Sequence, residues 1–238
     1  MRQQNLKRLS SIELKSKSPQ YIHLYFLLHD VKQAIEEHAF GHLLDIGCGN
    51  KPYQNWYNAV TSLQIGCDMA QSDAQKVDVI CPATALAFED NQFNTALCTQ
   101  VLEHVYDHNA VLREANRVLQ PGGKLILTVP FCWELHEEPH DFFRISKHGI
   151  KRLFEENNFS VVSIKSNGGK WAAAFQIMIN TIYSTFKYKT VRAKILKIIF
   201  VELRLCQLLN KLAIWIDKRY FDDVLTLNYI VVGEKKTI

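Results

Sequence analysis

The sequence predicts an α/β fold in which a doubly wound, seven-stranded, mostly parallel sheet carries a helical insertion before its last strand. Three observations predict it. Short apolar runs alternate with stretches of helical period from residue 18 to residue 165, the pattern of successive βαβ units. The first run ends in an acid and two glycines, Leu43-Leu44-Asp45-Ile46-Gly47-Cys48-Gly49, as a buried strand does when it leaves the sheet and turns sharply. Roughly 55 residues then separate the sixth run from the seventh, too many for a structureless loop.

Taken in order, residues 1–17 are charged and serine-rich and read as a flexible arm without the apolar centre of a secretory signal. Ser18-Pro19 reads as an N-cap followed by proline at the first helical position. Tyr21, Leu24, Leu28, Val31 and Ile35 mark one face of the helix that follows, and Gly41 should end it. This helix either covers the sheet or lends Tyr21, His23 and Tyr25 to the mouth of a pocket. A short helix is expected over Tyr53 to Ala59, then a second strand over Leu63 to Asp68. Asp68 closes that strand about twenty residues past the glycines, where a carboxylate can accept both hydroxyls of a ribose. A loop acid is the alternative, and a nicotinamide cofactor stays open at this point. The third glycine of a dinucleotide fingerprint is missing, however, because Pro52 stands there.

Val77 to Ile80 is the third strand and Thr95 to Gln100 the fourth. A helix carrying Val111, Leu112, Ala115, Val118 and Leu119 should stop at Pro121-Gly122-Gly123, before a fifth strand from Lys124 to Val129. Ser146 caps a helix with Ile150, Leu153 and Phe154 inward, and Asn158 takes the left-handed position at its end. Val161 to Lys165 is the sixth strand and Leu227 to Gly233 the last. The cofactor domain is thus 18–169 with 225–238, and 170–224 is a helical cap.

Length (238 residues), 47% hydrophobic content and a net charge of +4 fit one globular domain with an added subdomain. Cys48, Cys67, Cys81, Cys98, Cys132 and Cys206 form no C-x-x-C pair, so reduced thiols in a cytoplasmic protein are expected, not zinc or disulfides. No uncharged apolar run approaches the roughly 18 residues that span a bilayer.

Four ordered segments, "LLDIGCGNKPY", "QVLEHVYD", "LREANRVLQPGGKLILTVPF" and "HEEPHDFFRIS", resemble the class I S-adenosylmethionine-dependent methyltransferases over roughly residues 40 to 165. The resemblance is to a branch met in glycan and surface-polysaccharide biosynthesis. It implies the Rossmann-like fold of that family and S-adenosyl-L-methionine as cofactor. It also implies that Asp45, Gly47, Cys48 and Gly49 surround the methionine part, and that Asp68 with Met69 holds the ribose. The loop Ala83 to Leu86, with Thr84, Ala85 and Leu86, would lie against the adenine, and Gln100 would face the methionine or sulfonium region. Two positions depart from the family: Pro82 replaces an acid used near the adenine, and Asn94 replaces an aspartate. Glu103-His104 in that family mostly shapes the helix start after the fourth strand.

Methyl transfer is an in-line displacement, so the protein positions the acceptor and, for a hydroxyl, removes a proton. The segment Phe131 to Arg144 begins where the fifth strand ends, on the ligand edge. His136 and His140 are candidate bases, His136 preferred, with Asp141 and Arg144 orienting them; the alternative is a structural Asp141–Arg144 pair in a capped loop. The reaction requires no metal and none is expected, the alternative being a metal site built from His136, His140 and the nearby acids.

In the insertion, Phe175, Met178, Ile179, Ile182 and Phe186 give one helix and Arg192 to Arg219 a second, longer one. Lys197, Arg204, Lys211 and Lys218 recur every seven residues as a basic stripe. Residues 191–219 carry a net +5 and the remainder −1, so the positive balance sits here. The stripe is either a solvated or homodimer face or a contact with an anionic membrane surface. Without a second basic patch, nucleic acid is not expected as a partner. The expected reaction is O-methylation of a sugar or other small hydroxylated acceptor in a pocket built by the insert and the N-terminal helix. Alternatives are a lipid or quinone acceptor, or an inactive cofactor-binding module.

Overall fold

The computed structural model describes residues 13–72, 74–188 and 190–237. The first twelve residues of the expected arm lie outside that set. The elements run α1 (Tyr21–His38), β1 (His42–Ile46), α2 (Gln54–Tyr57), β2 (Leu63–Asp68), β3 (Val79–Ile80), β4 (Phe93–Thr99), α3 (His108–Val118) and β5 (Leu119–Pro130). They continue with α4 (Lys147–Glu156), β6 (Phe159–Asn167), α5 (Lys170–Thr185), α6 (Val191–Lys197), α7 (Leu205–Arg219) and β7 (Asn228–Lys235).

The sheet has seven strands in the order β3-β2-β1-β4-β5-β7-β6. The first five strands pair in parallel, whereas β7 is antiparallel to both β5 and β6. Because side chains alternate across a strand, each central strand feeds two cores. Leu44, Ile46, Ala96, Cys98, Leu125, Leu127 and Val231 pack with Val111, Leu112, Ile150 and Phe154 of α3 and α4. Leu43, Leu97, Ile126, Ile230 and Val232 pack on the other face with Leu28, Val31 and Ile35 of α1 and Tyr57 of α2. Apolar runs without polar alternation are what a sheet covered on both faces requires. The doubly wound, mostly parallel architecture is therefore as the sequence predicts.

Several boundaries differ, each for a local reason. Ser18-Pro19 does not cap α1: Ser18 Oγ accepts from Gln20 N (3.3 Å) in a preceding turn, and the helix opens at Tyr21. The helix ends at His38, with Ala39 already extended and Gly41 left-handed (φ +61°) two residues on. Pro121-Gly122-Gly123 does not stop α3; the chain is extended from Leu119, so these residues lie inside β5. Ser146 Oγ does accept from Gly149 N (3.3 Å), and Asn158 is left-handed at φ +60°.

The insertion departs most. The single helix expected over Arg192 to Arg219 is broken: a π-helical turn at Ile198–Glu202 leads to Arg204 at φ +60°, after which α7 starts. The wide turn carries Phe200 into contact with Tyr183 and Phe186 (ring centroids 5.6 and 6.2 Å), and Phe200 is fully buried. A seven-residue repeat across such a break is no longer one stripe, and Lys218 Nζ is spent on the Tyr25 hydroxyl and ring. The inward face of α7, Cys206, Asn210, Ala213 and Asp217, packs in a third core with Ile22 of α1 and Ala172, Ala173 and Ile179 of α5. Asp217 accepts from Gly169 N and Ala172 N at 2.9 Å, capping α5 from a distance. Asn210 Nδ2 donates to Ser16 O and Ser18 O (2.9 and 2.8 Å), which ties the described end of the arm to α7. All six cysteines are free thiols, and all but Cys132 are buried.

Candidate active site

The carboxyl ends of β1, β2 and β4 open onto two adjoining chambers. The first is lined by Gly47, Gly49, Asp68, Met69, Cys81, Ala83, Gln100 and Val101 among others. The second is lined by His23, Leu24, Leu27 and Leu28 of α1, by Asp45, Cys48, Tyr53 and Thr99, and by Trp133 and His136 from the loop after β5. Gly47, Gln100, His104 and Glu137 border both, so they form the wall where the chambers meet.

The glycine loop keeps its shape through bonds to β2 and to Asp78, just before β3. Gly47 N and Cys48 N both donate to Cys67 O (2.8 and 3.0 Å), and Gly49 N donates to Asp68 Oδ2 (3.1 Å). Gly47 sits at φ +71°, where a Cβ would lie 2.3 Å from Val101 Cγ2. Lys51, at φ +52° with its ammonium largely covered, pairs with Asp78, whose Oδ2 also accepts from Gly66 N (2.7 Å). Lys51 is a pin that sequence reasoning missed; a lysine two residues past the second glycine and an acid before the third strand were the available signal. Asp68 Oδ1 accepts from Met69 N (2.7 Å), so each oxygen of Asp68 holds one backbone donor and keeps a lone pair for a ligand hydroxyl.

Asp45 is 2% exposed and its Oδ2 meets the Tyr57 hydroxyl at 3.5 Å. Burial pushes its carboxyl up to about 7, with Lys51 opposing. Gln100 adopts φ +54°, and its Nε2 donates to Thr128 Oγ1 (3.1 Å), which fixes it at the wall. Of the residues expected at a cofactor, Gly47, Gly49, Asp68, Met69 and Gln100 come together around the first chamber, while Asp45 and Cys48 face the second. Thr84, Ala85 and Leu86 line neither; their neighbour Ala83 does, and Leu86 is buried with its N–H donating to Glu114 Oε2 (2.7 Å). Asn94 lies at the opposite end of β4, where Oδ1 accepts from His42 N (2.9 Å), so the missing charge there does not touch the chambers.

The loop 131–144 is clamped. Arg144 makes a two-pronged contact to Asp141 (2.6 and 2.8 Å) and also donates to Glu134 O (3.1 Å). Burial would raise the Asp141 carboxyl, but the bonds from Arg144 and from His136 N hold it down to about 2. His136 Nδ1 lies 3.3 Å from Asp141 Oδ2. His140 is placed differently from His136: its side chain is exposed and lines neither chamber, while its carbonyl accepts from His104 Nδ1 (2.7 Å). The ring that meets His136 is instead His104, at 4.8 Å between centroids. Glu103 lies behind it, 1% exposed, and burial pushes its carboxyl up to about 8. The insertion lines neither chamber; it backs α1, where Gln176 Oε1 accepts from His23 N (3.0 Å). Of the aromatic residues on α1, His23 reaches the second chamber, and Tyr21 and Tyr25 do not.

Comparison with known proteins agrees with this geometry. Residues 44–127 match the family model of a methyltransferase domain. Demethylmenaquinone methyltransferase of Staphylococcus saprophyticus is 31% identical over 121 residues, 38% of this chain and 52% of the relative. The 27-O-demethylrifamycin SV methyltransferase of Amycolatopsis mediterranei is 36% identical over 100 residues, covering 36% of this chain and 37% of the relative. The alignment thus spans about half, or less, of these relatives' length. Among solved structures, the 1,6-didemethyltoxoflavin-N1-methyltransferase of Burkholderia thailandensis, with bound S-adenosylhomocysteine, superposes with a TM-score of 0.55 at 11% identity, over 94% of this chain and 80% of its own. At that identity the likeness is one of fold. Residues 44–127 thus match a methyltransferase domain, and they lie in the Rossmann-like α/β sheet that the superposed methyltransferase shares.

Proposed function

We propose that the protein moves a methyl group from S-adenosylmethionine to an oxygen of a sugar or another small hydroxylated acceptor. The observation that carries this reading is the pair of chambers meeting at Gly47, Gln100 and His104. A nucleoside held at Asp68 in the first chamber and an acceptor in the second would face each other across that wall. The residues fit the cofactor: Asp68 keeps lone pairs for ribose hydroxyls, and the bare Gly47 leaves backbone open where a side chain would strike Val101. When bound, the cofactor supplies an electrophilic methyl on a sulfonium.

The chain's own residues do the rest. Asp45, buried at the end of β1, offers a carboxylate to a cationic group that enters the second chamber. His136 is oriented by Asp141, which Arg144 fixes, so its Nε2 is free to take a hydroxyl proton in the acceptor chamber. Leu24, Leu27, Leu28 and Trp133 shed water from that chamber.

Calorimetry with S-adenosylhomocysteine is the first test. Micromolar binding that Asp68→Ala abolishes supports the cofactor chamber; equal binding by the variant refutes it. Labelled methyl transfer to nucleotide-sugar and oligosaccharide pools, lost in His136→Asn, supports the acceptor. Label appearing solely in other pools refutes it.

A second reading, a lipid-linked or quinone acceptor, is favoured by the apolar lining of the second chamber and by the outer face of the insertion. There Val191, Ile198, Leu203 and Trp215 are more than half exposed, beside Arg192, Lys194, Lys197 and Arg204. No described helix is long and apolar enough to cross a membrane, so such contact would be peripheral. Flotation with anionic but not neutral vesicles is the expected result under this reading, and failure to float with either removes it.

A further inference from the structure

We propose that Glu103, His104 and His136 form a binding site for a first-row divalent cation at the wall between the two chambers. One atom from each, a carboxylate oxygen and two imidazole nitrogens, lies within 4.8 Å of the others. Two segments far apart in sequence build the cluster. The turn Leu102–His104 follows β4, and the loop 131–144 follows β5; Phe142 N donates to Glu103 O (2.9 Å), and His104 Nδ1 bonds His140 O (2.7 Å), stapling one to the other.

Each ring is held in the tautomer that a ligand needs. A carbonyl oxygen only accepts, so the Nδ1 of His104 carries the hydrogen and Nε2 keeps its lone pair. That Nε2 lies 3.8 Å from Glu103 Oε1 and 3.9 Å from Glu137 Oε2. His136 is arranged alike: its Nδ1 faces Glu134 O (3.2 Å) and Asp141 Oδ2 (3.3 Å), again acceptors alone, so its Nε2 is free. An imidazole oriented by a clamped carboxylate is the outer layer that metal-binding histidines use.

The second, independent observation is Glu103 itself. Its side chain is 1% exposed, and neither carboxylate oxygen has a hydrogen-bond partner. An unpaired carboxylate in the interior is costly unless a cation or proton meets it. With Nδ1 as the donor on each ring, the two imidazoles offer Nε2 lone pairs, so a divalent cation satisfies all three groups at once. Metal–ligand lengths of about 2.0–2.2 Å place ligand atoms roughly 3–3.5 Å apart, which asks for an inward shift of about 1 Å by side chains. Two nitrogens and one oxygen suit Zn²⁺, Mn²⁺ or Fe²⁺ better than Ca²⁺. Three protein ligands leave positions open, and His104 and His136 border the acceptor chamber. The inference rests on the proposed reaction in one respect: an open position there would hold an acceptor oxygen, and because coordination uses the Nε2 lone pair of His136, a bound cation would acidify the acceptor hydroxyl in place of His136 acting as its base. It revises the expectation that no metal takes part, and it pairs His136 with His104 in place of His140.

The test uses the full chain after chelator treatment, titrated with Co²⁺ while its ligand-field absorption is followed, and with Zn²⁺ by calorimetry. One cation per chain is expected, with affinity falling at least about tenfold in Glu103→Gln and in His136→Gln and unchanged in His148→Gln, an exposed histidine of α4. Thermal unfolding and S-adenosylhomocysteine binding by the same samples report whether each variant is folded. Absence of binding by the wild type, or undiminished binding by both folded variants, overturns the site. S-Adenosylhomocysteine binding without cation binding defeats this proposal alone, whereas cation binding without S-adenosylhomocysteine binding defeats the proposed function instead.

Discussion

Replacing Gly47 by alanine tests the central geometric claim, because the structure supplies its own control. Gly47 and Gly122 are both left-handed, at φ +71° and +77°, but a Cβ on Gly122 meets nothing within 4 Å, whereas one on Gly47 lies 2.3 Å from Val101 Cγ2. The backbone cost of an alanine in that region is about 1–2 kcal/mol and is common to both. Forcing Val101 aside adds an overpacking cost of about 1–3 kcal/mol at Gly47 alone. Gly122→Ala should therefore lose about 1–2 kcal/mol in urea unfolding and Gly47→Ala about 2–5 kcal/mol. Removing the obstacle should restore part of the loss, so the cycle of Gly47→Ala with Val101→Ala should show a coupling of about 1–3 kcal/mol. Since Val101 also lines the first chamber, S-adenosylhomocysteine affinity should fall at least about tenfold in the single variant. Equal destabilisation of the two alanine variants with zero coupling would refute the reasoning.

Three further outcomes follow from buried charge. Asp45 has its pKa raised by burial from 3.8 to about 7, so the neutral form's advantage is full below 3.8 and is lost as pH rises through 7. The stability of the wild type relative to Asp45→Asn should fall by on the order of 4 kcal/mol across that window, less with S-adenosylhomocysteine bound, and a flat difference curve would refute it. His23 shifts the opposite way, from 6.5 down to about 4 by burial, so its contribution is present above 6.5 and is lost on acidification through 4. Relative to His23→Gln, the wild type should lose about 3 kcal/mol over that range, measured by unfolding at a series of pH values. Asp217→Ala leaves Gly169 N and Ala172 N without their 2.9 Å partner in a buried site and should cost about 2–3 kcal/mol; a loss under about 0.5 kcal/mol would show the cap to be unimportant.

The sequence by itself determined the sheet and its ligand edge. Unbroken apolar runs such as Leu43-Leu44 and Leu125-Ile126-Leu127 require cover on both faces, and the glycines and acids that follow them sit where parallel strands end. Local signals of this kind act within a few residues, which is why Ser146 and Asn158 were also legible. Tertiary packing decided the rest. The break at Arg204 has no glycine or proline to announce it; it goes with the burial of Phe200 against Tyr183 and Phe186. The choice of His104 over His140 as the neighbour of His136 depends on how the loop after β5 docks onto the turn after β4. Those contacts join residues more than thirty positions apart, and spacing along the chain carries no record of which of them meet.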